Sequence, residues 1–264
     1  MMDNFKSAYV SKPVDARGHA DYTAEENAVW HTLYERQLPI VQSHACEEYL
    51  NGLKLLNLPT DRVPQCPEIS TALSKATGWK VEPVPALIPY DYFFSLLANK
   101  KFPAATFIRL RKELDYLEEP DIFHETFGHC PLLTNQAYAD FAEVYGKLGL
   151  KASPEDREML ARLYWFTVEF GLINTKAGLR AYGGGILSSI SETKYCLESP
   201  IPKRVPFDPL EALRTPYRID IMQPLYFVID SFDVLFHLAE MDLMGLINEA
   251  RSLGMRKPLF DEKH

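Results

Sequence analysis

Two histidines, His124 and His129, stand five residues apart in Asp121-Ile122-Phe123-His124-Glu125-Thr126-Phe127-Gly128-His129-Cys130-Pro131. Imidazole is the commonest protein ligand for metals, and it also titrates near neutrality. The spacing restricts what the pair can do. At about 100° per residue, five steps leave the rings roughly 140° apart on a regular helix. This is not the H-E-x-x-H zinc-protease pattern, whose histidines share a face at i and i+4. Two such rings reach one ion only where the helix ends or distorts between them. Gly128 offers backbone freedom for that, and Pro131 disfavours helix at Cys130. On spacing alone, the simpler account is two unrelated histidines, one at the helix end and one in the core.

Glu169 shifts the balance. It is the only charged residue in Leu163-Tyr164-Trp165-Phe166-Thr167-Val168-Glu169-Phe170-Gly171-Leu172-Ile173. A helix that is apolar nearly all round is a buried one, and a buried carboxylate needs a cation or strong hydrogen bonds. Arg162 or a more distant arginine could supply a salt bridge; a metal is the sharper partner. Two imidazoles and one carboxylate leave coordination positions open, the ligand set of non-haem Fe(II) oxygenases. Zinc hydrolases use the same ligand types, so the set alone does not choose the metal. A helical binding module with a structural metal would need a fourth protein ligand. Cys130 is the nearest, although a buried inert thiol is its commoner role.

These side chains have to be held by the rest of the chain. With 264 residues, 47% hydrophobic and 12% aromatic, it has material for one large core or two small ones. The balance of 28 basic and 36 acidic residues, net −8, argues against a general affinity for nucleic acid. No stretch approaches the roughly 20 apolar residues of a membrane span. The four cysteines lie far apart without a C-x-x-C pair, so neither a disulfide framework nor a zinc knuckle is expected. A cytoplasmic protein fits. Residues 1–22, broken by Pro13 and Gly18, read as a loose arm, and 23–264 as one domain. Thr23 and Glu26 form a capping box for a helix that Pro39 should stop. Further helices are expected at 41–56, 67–77, 91–98, 121–128, 136–148, 154–171, 186–196, 209–214 and 232–253. Short strands are expected at 79–85 and 104–110. The fold class is mainly α (α+β).

Three words in order, 121–129, 164–172 and Ala181-Tyr182-Gly183-Gly184-Gly185-Ile186-Leu187-Ser188-Ser189, closely resemble the pterin-dependent aromatic amino acid hydroxylases. The similarity runs from about residue 80 to 235. It implies a single catalytic domain of many helices and a few strands, with iron in a central cleft. It implies that His124, His129 and Glu169 hold Fe(II), that tetrahydropterin and O2 are cosubstrates, and that an Fe(IV)-oxo species hydroxylates the ring. Arg109 matches the arginine that binds the substrate carboxylate, a task suited to the guanidinium fork. Trp165 and Ser189 fall at the substrate as well. Ser188 matches a serine that orients an iron-bound histidine. Phe93, Glu125 and Tyr164 match residues at the pterin.

A lone catalytic domain resembles the bacterial members, mostly phenylalanine hydroxylases, so L-phenylalanine going to L-tyrosine is the expected reaction. Tryptophan or tyrosine hydroxylation is the alternative within the family, and zinc-dependent hydrolysis the alternative outside it. The resemblance covers no regulatory or tetramerisation segment, so a monomer or small homo-oligomer is expected, with no nucleic-acid or membrane partner. Leu117 and Glu118 depart from the small polar residue and proline of animal members, which puts substrate contacts of that loop in question.

Overall fold

The computed structural model describes residues 7–117 and 119–261, so Glu118 lies outside the described residues. Helices supply most of the frame, beginning with Ala24–His44 and Glu47–Leu56. The expected capping box is present: Glu26 N–H donates to Thr23 Oγ1 at 3.2 Å, and Thr23 N–H donates to Glu26 Oε2 at 2.7 Å. Pro39 does not stop the helix. Its missing N–H would have bonded the carbonyl of Glu35; both residues are exposed, so water can satisfy that oxygen. The inward face meanwhile continues through Gln37 and Val41, and Gln37 Nε2 donates to Leu187 O at 2.8 Å. The break falls later, at Ala45–Cys46, where Cys46 N–H is drawn to Ala181 O at 3.0 Å.

Two small sheets complete the frame. β1 (Lys80–Val84) and β2 (Lys101–Ala105) pair in parallel, so the strand expected at 104–110 lies earlier. The other four are β3 (Leu172–Thr175), β4 (Gly178–Ala181), β5 (Lys203–Pro206) and β6 (Leu225–Ile229). They stand in the order β4-β3-β6-β5, with β3 antiparallel to β4 and β6 parallel to both neighbours. Two other expected helices are divided by polar caps. Ser189 starts Ile190–Glu198 after the short Gly184–Leu187, and Asp242 accepts from Gly245 N at 3.0 Å to start Leu243–Leu253 after Asp233–Glu240.

One hydrophobic core takes in residues from Val29 to Ala250. The helix segment carrying His124 and His129 is fastened to it from behind. Phe123 and Phe127 stack at 4.8 Å, and Trp30 and Tyr34 meet them edge-on, each at 5.4 Å. Tyr49 donates its hydroxyl to Phe127 O at 2.7 Å. Residues 7–22 carry no helix, yet they are not loose. Thr106 N–H donates to Ser11 Oγ at 3.1 Å, Thr106 Oγ1 donates to Lys12 O at 2.7 Å, and Ala20 is buried. Hydrogen bonding to the extended backbone after β2 ties the arm down, although its polarity and Pro13 suggest freedom.

Gly52 lets the second helix touch the turn after His129, because a Cβ there would stand 2.0 Å from Pro131 O. Gly52→Ala should therefore cost about 1–3 kcal/mol of stability through forced separation of the two backbones. A thermal melt and denaturant titration of the variant would check this; an unchanged midpoint would show that the contact yields freely.

Candidate metal centre

The distortion between His124 and His129 is a widened turn. Glu125 N–H still bonds Asp121 O four residues back, whereas Cys130 N–H bonds Glu125 O five residues back. Residues His124–His129 form a π-helical turn, the insertion that recurs at functional sites. In an i to i+5 ladder, side chains five apart lie over one another, so the two imidazoles share a face. The same device recurs under Glu169. The helix Pro154–Tyr164 passes into a π turn at Trp165–Glu169, and Phe170 N–H bonds Trp165 O at 2.8 Å.

Widening a turn leaves a carbonyl poorly served where the ladder changes step. At each site a fully buried threonine bonds one such oxygen. Thr126 Oγ1 donates to Ile122 O and Thr167 Oγ1 to Leu163 O, both at 2.6 Å. Back-bonding of this kind loosens a regular helix, here where loosening is wanted. Gly128 contributes differently from the freedom expected of it: its backbone packs against Gly184, whose carbonyl oxygen a Cβ would meet at 2.7 Å.

The three side chains converge. His124 Nε2 and His129 Nε2 are 3.0 Å apart, His129 Nε2 is 3.3 Å from Glu169 Oε1, and His124 Nε2 is 3.7 Å from Glu169 Oε2. One ligand atom from each lies within 4.8 Å of the others. Burial drives the His124 pKa down to about 4 against the pull of Glu169, so this imidazole is neutral at physiological pH. Burial works to raise the Glu169 carboxyl, but His129 and His124 outweigh it and its pKa lies below the ordinary value. A neutral imidazole and a carboxylate each turn a donor atom toward the same point, where either a proton on an imidazole nitrogen or a metal ion can sit between them. The donor set therefore fits a divalent metal. Cys130 does not close the set: it is fully buried away from the cluster, and burial raises its thiol well above the usual range.

Glycines 183–185 form the cradle. A Cβ on Gly184 would stand 2.3 Å from His129 Nδ1, and one on Gly185 2.9 Å from Glu169 Oε2. Ser188, at the end of that helix, lies 2.9 Å from His124 Nδ1 and donates its own proton to Gly184 O at 2.8 Å. It thus accepts the Nδ1–H of His124, leaving the Nε2 lone pair directed at the ion. His129 Nδ1 is buried without such a partner.

The remaining site residues surround this cluster. Arg109 is buried and bound to Asp121 through Nε at 2.8 Å and Nη2 at 2.9 Å, with its backbone N–H also on Asp121 Oδ2 at 2.9 Å. One edge of the fork expected for a ligand carboxylate is therefore occupied; among the described residues nothing hydrogen-bonds Nη1. Asp121 also accepts from His124 N–H at 3.0 Å, which couples Arg109 to the metal helix. The Asp121 carboxyl is held below its ordinary pKa because Arg109 outweighs a complete burial that would raise it. Asp121 is a residue of this site that the sequence analysis assigns no role. Opposite charges inside two apolar words, Phe107-Ile108-Arg109 and Asp121-Ile122-Phe123, were the signal for the pair.

Trp165 stacks on Tyr217 at 4.4 Å, leans on Phe170 at 4.3 Å and donates Nε1–H to Gln223 Oε1 at 3.0 Å. Tyr217 and Gln223 were missed, since neither carries a local pattern. Ser189 is half-buried beside Ser188 and caps its helix through Glu192 N–H at 3.3 Å. Phe93 meets Tyr164 edge-on at 5.6 Å, one residue before Trp165. Glu125 follows His124. Burial, then the charges of Glu169 and Asp121, push its carboxyl well up; a bound cation would act in the opposite sense.

Comparison with known proteins identifies the family. The family model for biopterin-dependent aromatic amino acid hydroxylases matches residues 5–240. A protein from Vibrio cholerae named phenylalanine-4-hydroxylase is 57% identical over 255 residues, 97% of this chain and 88% of its own. The cold-active phenylalanine hydroxylase of Colwellia psychrerythraea superposes with TM-score 0.93 at 53% identity, covering 95% of this chain and 97% of that one. The phenylalanine hydroxylase of Chromobacterium violaceum with bound oxidised Fe(III) superposes at 0.88 and 48% identity, covering 95% and 94%.

Ser188→Ala should weaken metal binding about 10- to 100-fold, read by titrating the metal-free chain with Co(II); unchanged affinity would remove the orienting role. Metal affinity should stay level from pH 8 to 6 with respect to His124 and Glu169. It should fall as the pH approaches 4, where His124 takes up a proton in competition with the ion. A His124 ring that took up its proton near pH 7 in an NMR titration of the metal-free chain would contradict a neutral His124.

Proposed function

The chain belongs to the biopterin-dependent aromatic amino acid hydroxylases, and we propose that it converts L-phenylalanine to L-tyrosine with the residues above in the following roles. The observation that carries the reading is the convergence of His124, His129 and Glu169 on one point from two π turns. When bound there, Fe(II) with a tetrahydropterin supplies O2 activation: the pterin gives two electrons, one oxygen atom goes to the ring and the other ends in water. Three protein ligands leave the coordination positions this chemistry needs.

The chain's own residues bind, orient and enclose. Arg109 receives the amino acid carboxylate on the edge that Asp121 leaves free, and Asp121 keeps the guanidinium in place and neutralised until then. A charged pair buried this deeply has little room to reorient, so the carboxylate's position sets where the ring falls. Trp165, backed by Tyr217 and Phe170, presents an apolar wall for a benzyl side chain, and Ser189 stands at its polar end. Phe93 and Tyr164 offer aromatic faces to the flat pterin, with Glu125 as its polar contact. Burial around the cluster excludes bulk water, which protects a strong oxidant from side reactions.

Phenylalanine is favoured over tryptophan and tyrosine because the relatives most similar along the whole chain carry that activity in their names. Family membership removes the zinc-hydrolase reading of the same ligand types. No helix among the described residues is long and apolar enough to cross a membrane. All four cysteines are buried and unpaired, which suits a reducing cytoplasm. A monomer or small homo-oligomer is the assembly proposed.

The test loads the metal-free chain with Fe(II) under argon, then adds O2, L-phenylalanine and tetrahydropterin, and follows tyrosine by chromatography. Tyrosine should form only when iron and pterin are both present. Product from a Zn(II)-loaded or pterin-free sample, or selective hydroxylation of tryptophan, would overturn the assignment. Arg109→Lys should raise KM for phenylalanine about 10- to 100-fold, since one ammonium cannot serve Asp121 and a substrate carboxylate together. An unchanged KM would reject the carboxylate role.

A further inference from the structure

Arg109 and Asp121 are the two ends of a loop. Within it Leu110 N–H donates to Glu113 Oε2 at 2.9 Å, while Glu113 N–H donates to Leu110 O at 2.8 Å. One outside contact comes from Arg36, which pairs with Asp115. Leu114 packs against the core, and further contacts come from the N-terminal arm. Ala8 N–H donates to Glu119 Oε1 at 2.9 Å, and the Ser7 hydroxyl bonds the second oxygen of the same carboxylate. The Tyr9 hydroxyl donates to Glu113 Oε1 at 3.2 Å. The Tyr9 ring lies flat on Phe107, two residues before Arg109, at 4.7 Å and 9°.

The arm thus grips the loop near both ends, at Glu113 and Glu119, and its Tyr9 ring covers Phe107 in the extended segment that delivers Arg109. Beyond that grip it is anchored independently: Ser11 and Lys12 hold Thr106, and Tyr22 donates to Thr106 O at 2.9 Å. A strap fixed at one end to the core and at the other to a loop restrains that loop; its removal releases the conformational entropy of the segment it held.

We propose that Ser7, Ala8 and Tyr9 are positioning residues for substrate selection: they strap the 110–120 loop so that the unshared edge of Arg109 stays directed at the amino acid carboxylate. The proposal rests on the carboxylate role given to Arg109 above. None of the three touches the metal cluster, so the strap acts on amino acid binding and leaves the ligand geometry alone. It also gives the arm a task that its sequence, polar and interrupted by Pro13, does not announce.

The test uses the full chain with Tyr9→Ala, Ala8→Pro and Tyr9→Phe. The first removes the stack and the hydroxyl, the second the N–H on Glu119, and the third only the hydroxyl. Tyr9→Ala and Ala8→Pro should raise KM for L-phenylalanine about fivefold to tenfold, leaving kcat at saturation and KM for the pterin unchanged. Tyr9→Phe, which keeps the stack, should recover most of the loss. Amide hydrogen exchange supplies a readout that needs no activity: exchange across 110–117 should quicken in the first two variants while 124–129 stays protected. Unchanged KM with a lowered melting temperature would make the arm merely structural and overturn the proposal. So would a rise in KM without faster exchange in the loop. If the unaltered chain makes no tyrosine, the reading of function fails, while hydrogen exchange still decides whether the strap exists.

Discussion

Two imidazoles five residues apart on one helix face a common point only if that helix holds an extra residue in its turn. The rest of the site follows from this constraint. It is met twice, once at His124–His129 and once at Trp165–Glu169, because a carboxylate from a second helix has to arrive at the same point. A widened turn is less stable than a regular one, so each needs support. The support is local in the threonine hydroxyls on Ile122 O and Leu163 O. It is tertiary in the aromatic packing behind Phe123 and Phe127 and in the glycine cradle at 183–185. The arrangement brings two imidazole nitrogens and a carboxylate within 4.8 Å of one another in a largely buried space. The fold thereby holds ready a donor set that a divalent metal fits.

Asp121 carries the constraint outward. One fully buried carboxylate accepts from three donors of Arg109 and from the backbone of His124. Removing either charge of such a pair leaves the other buried and uncompensated, which is costly. The pair therefore ties the segment that carries Arg109 to the helix that carries His124 through a few bonds. The loop it closes is held in turn by the arm, the part of the chain farthest in sequence from Glu169. Order around Arg109 and Trp165 thus draws on residues from the first and last thirds of the sequence, Tyr9 on one side and Tyr217 and Gln223 on the other.

Much of this is legible in the order of the amino acids, and the reasons for success and failure are physical. Local rules perform where the local environment decides. The Thr23–Glu26 capping box is present, and the helix Cys66–Ala76 ends just before Gly78, whose φ of 82° is the left-handed conformation glycine tolerates. The cluster of two histidines and one glutamate is legible because buried charge in an apolar word has few explanations. Rules fail where solvent or distant packing overrides a propensity. Pro39 sits in a helix because its missing hydrogen bond faces water. Gly128 is needed for contact with Gly184 rather than for bending. The widened turns themselves leave no mark in the periodicity, since one inserted residue is invisible to a window of 3.6. The sharing of Arg109 with Asp121, and the attachment of the arm, depend on contacts between residues that no local pattern links.

The central claim is that two π turns assemble a three-ligand centre, two imidazoles and one carboxylate, with positions left for exchangeable ligands. X-ray absorption at the iron edge of the Fe(II)-loaded chain tests it most directly. The account predicts two imidazole shells, one carboxylate oxygen and further light scatterers that change when substrate and pterin are added. A sulfur scatterer from Cys130, a single imidazole, or a sphere closed by a fourth protein ligand would contradict it.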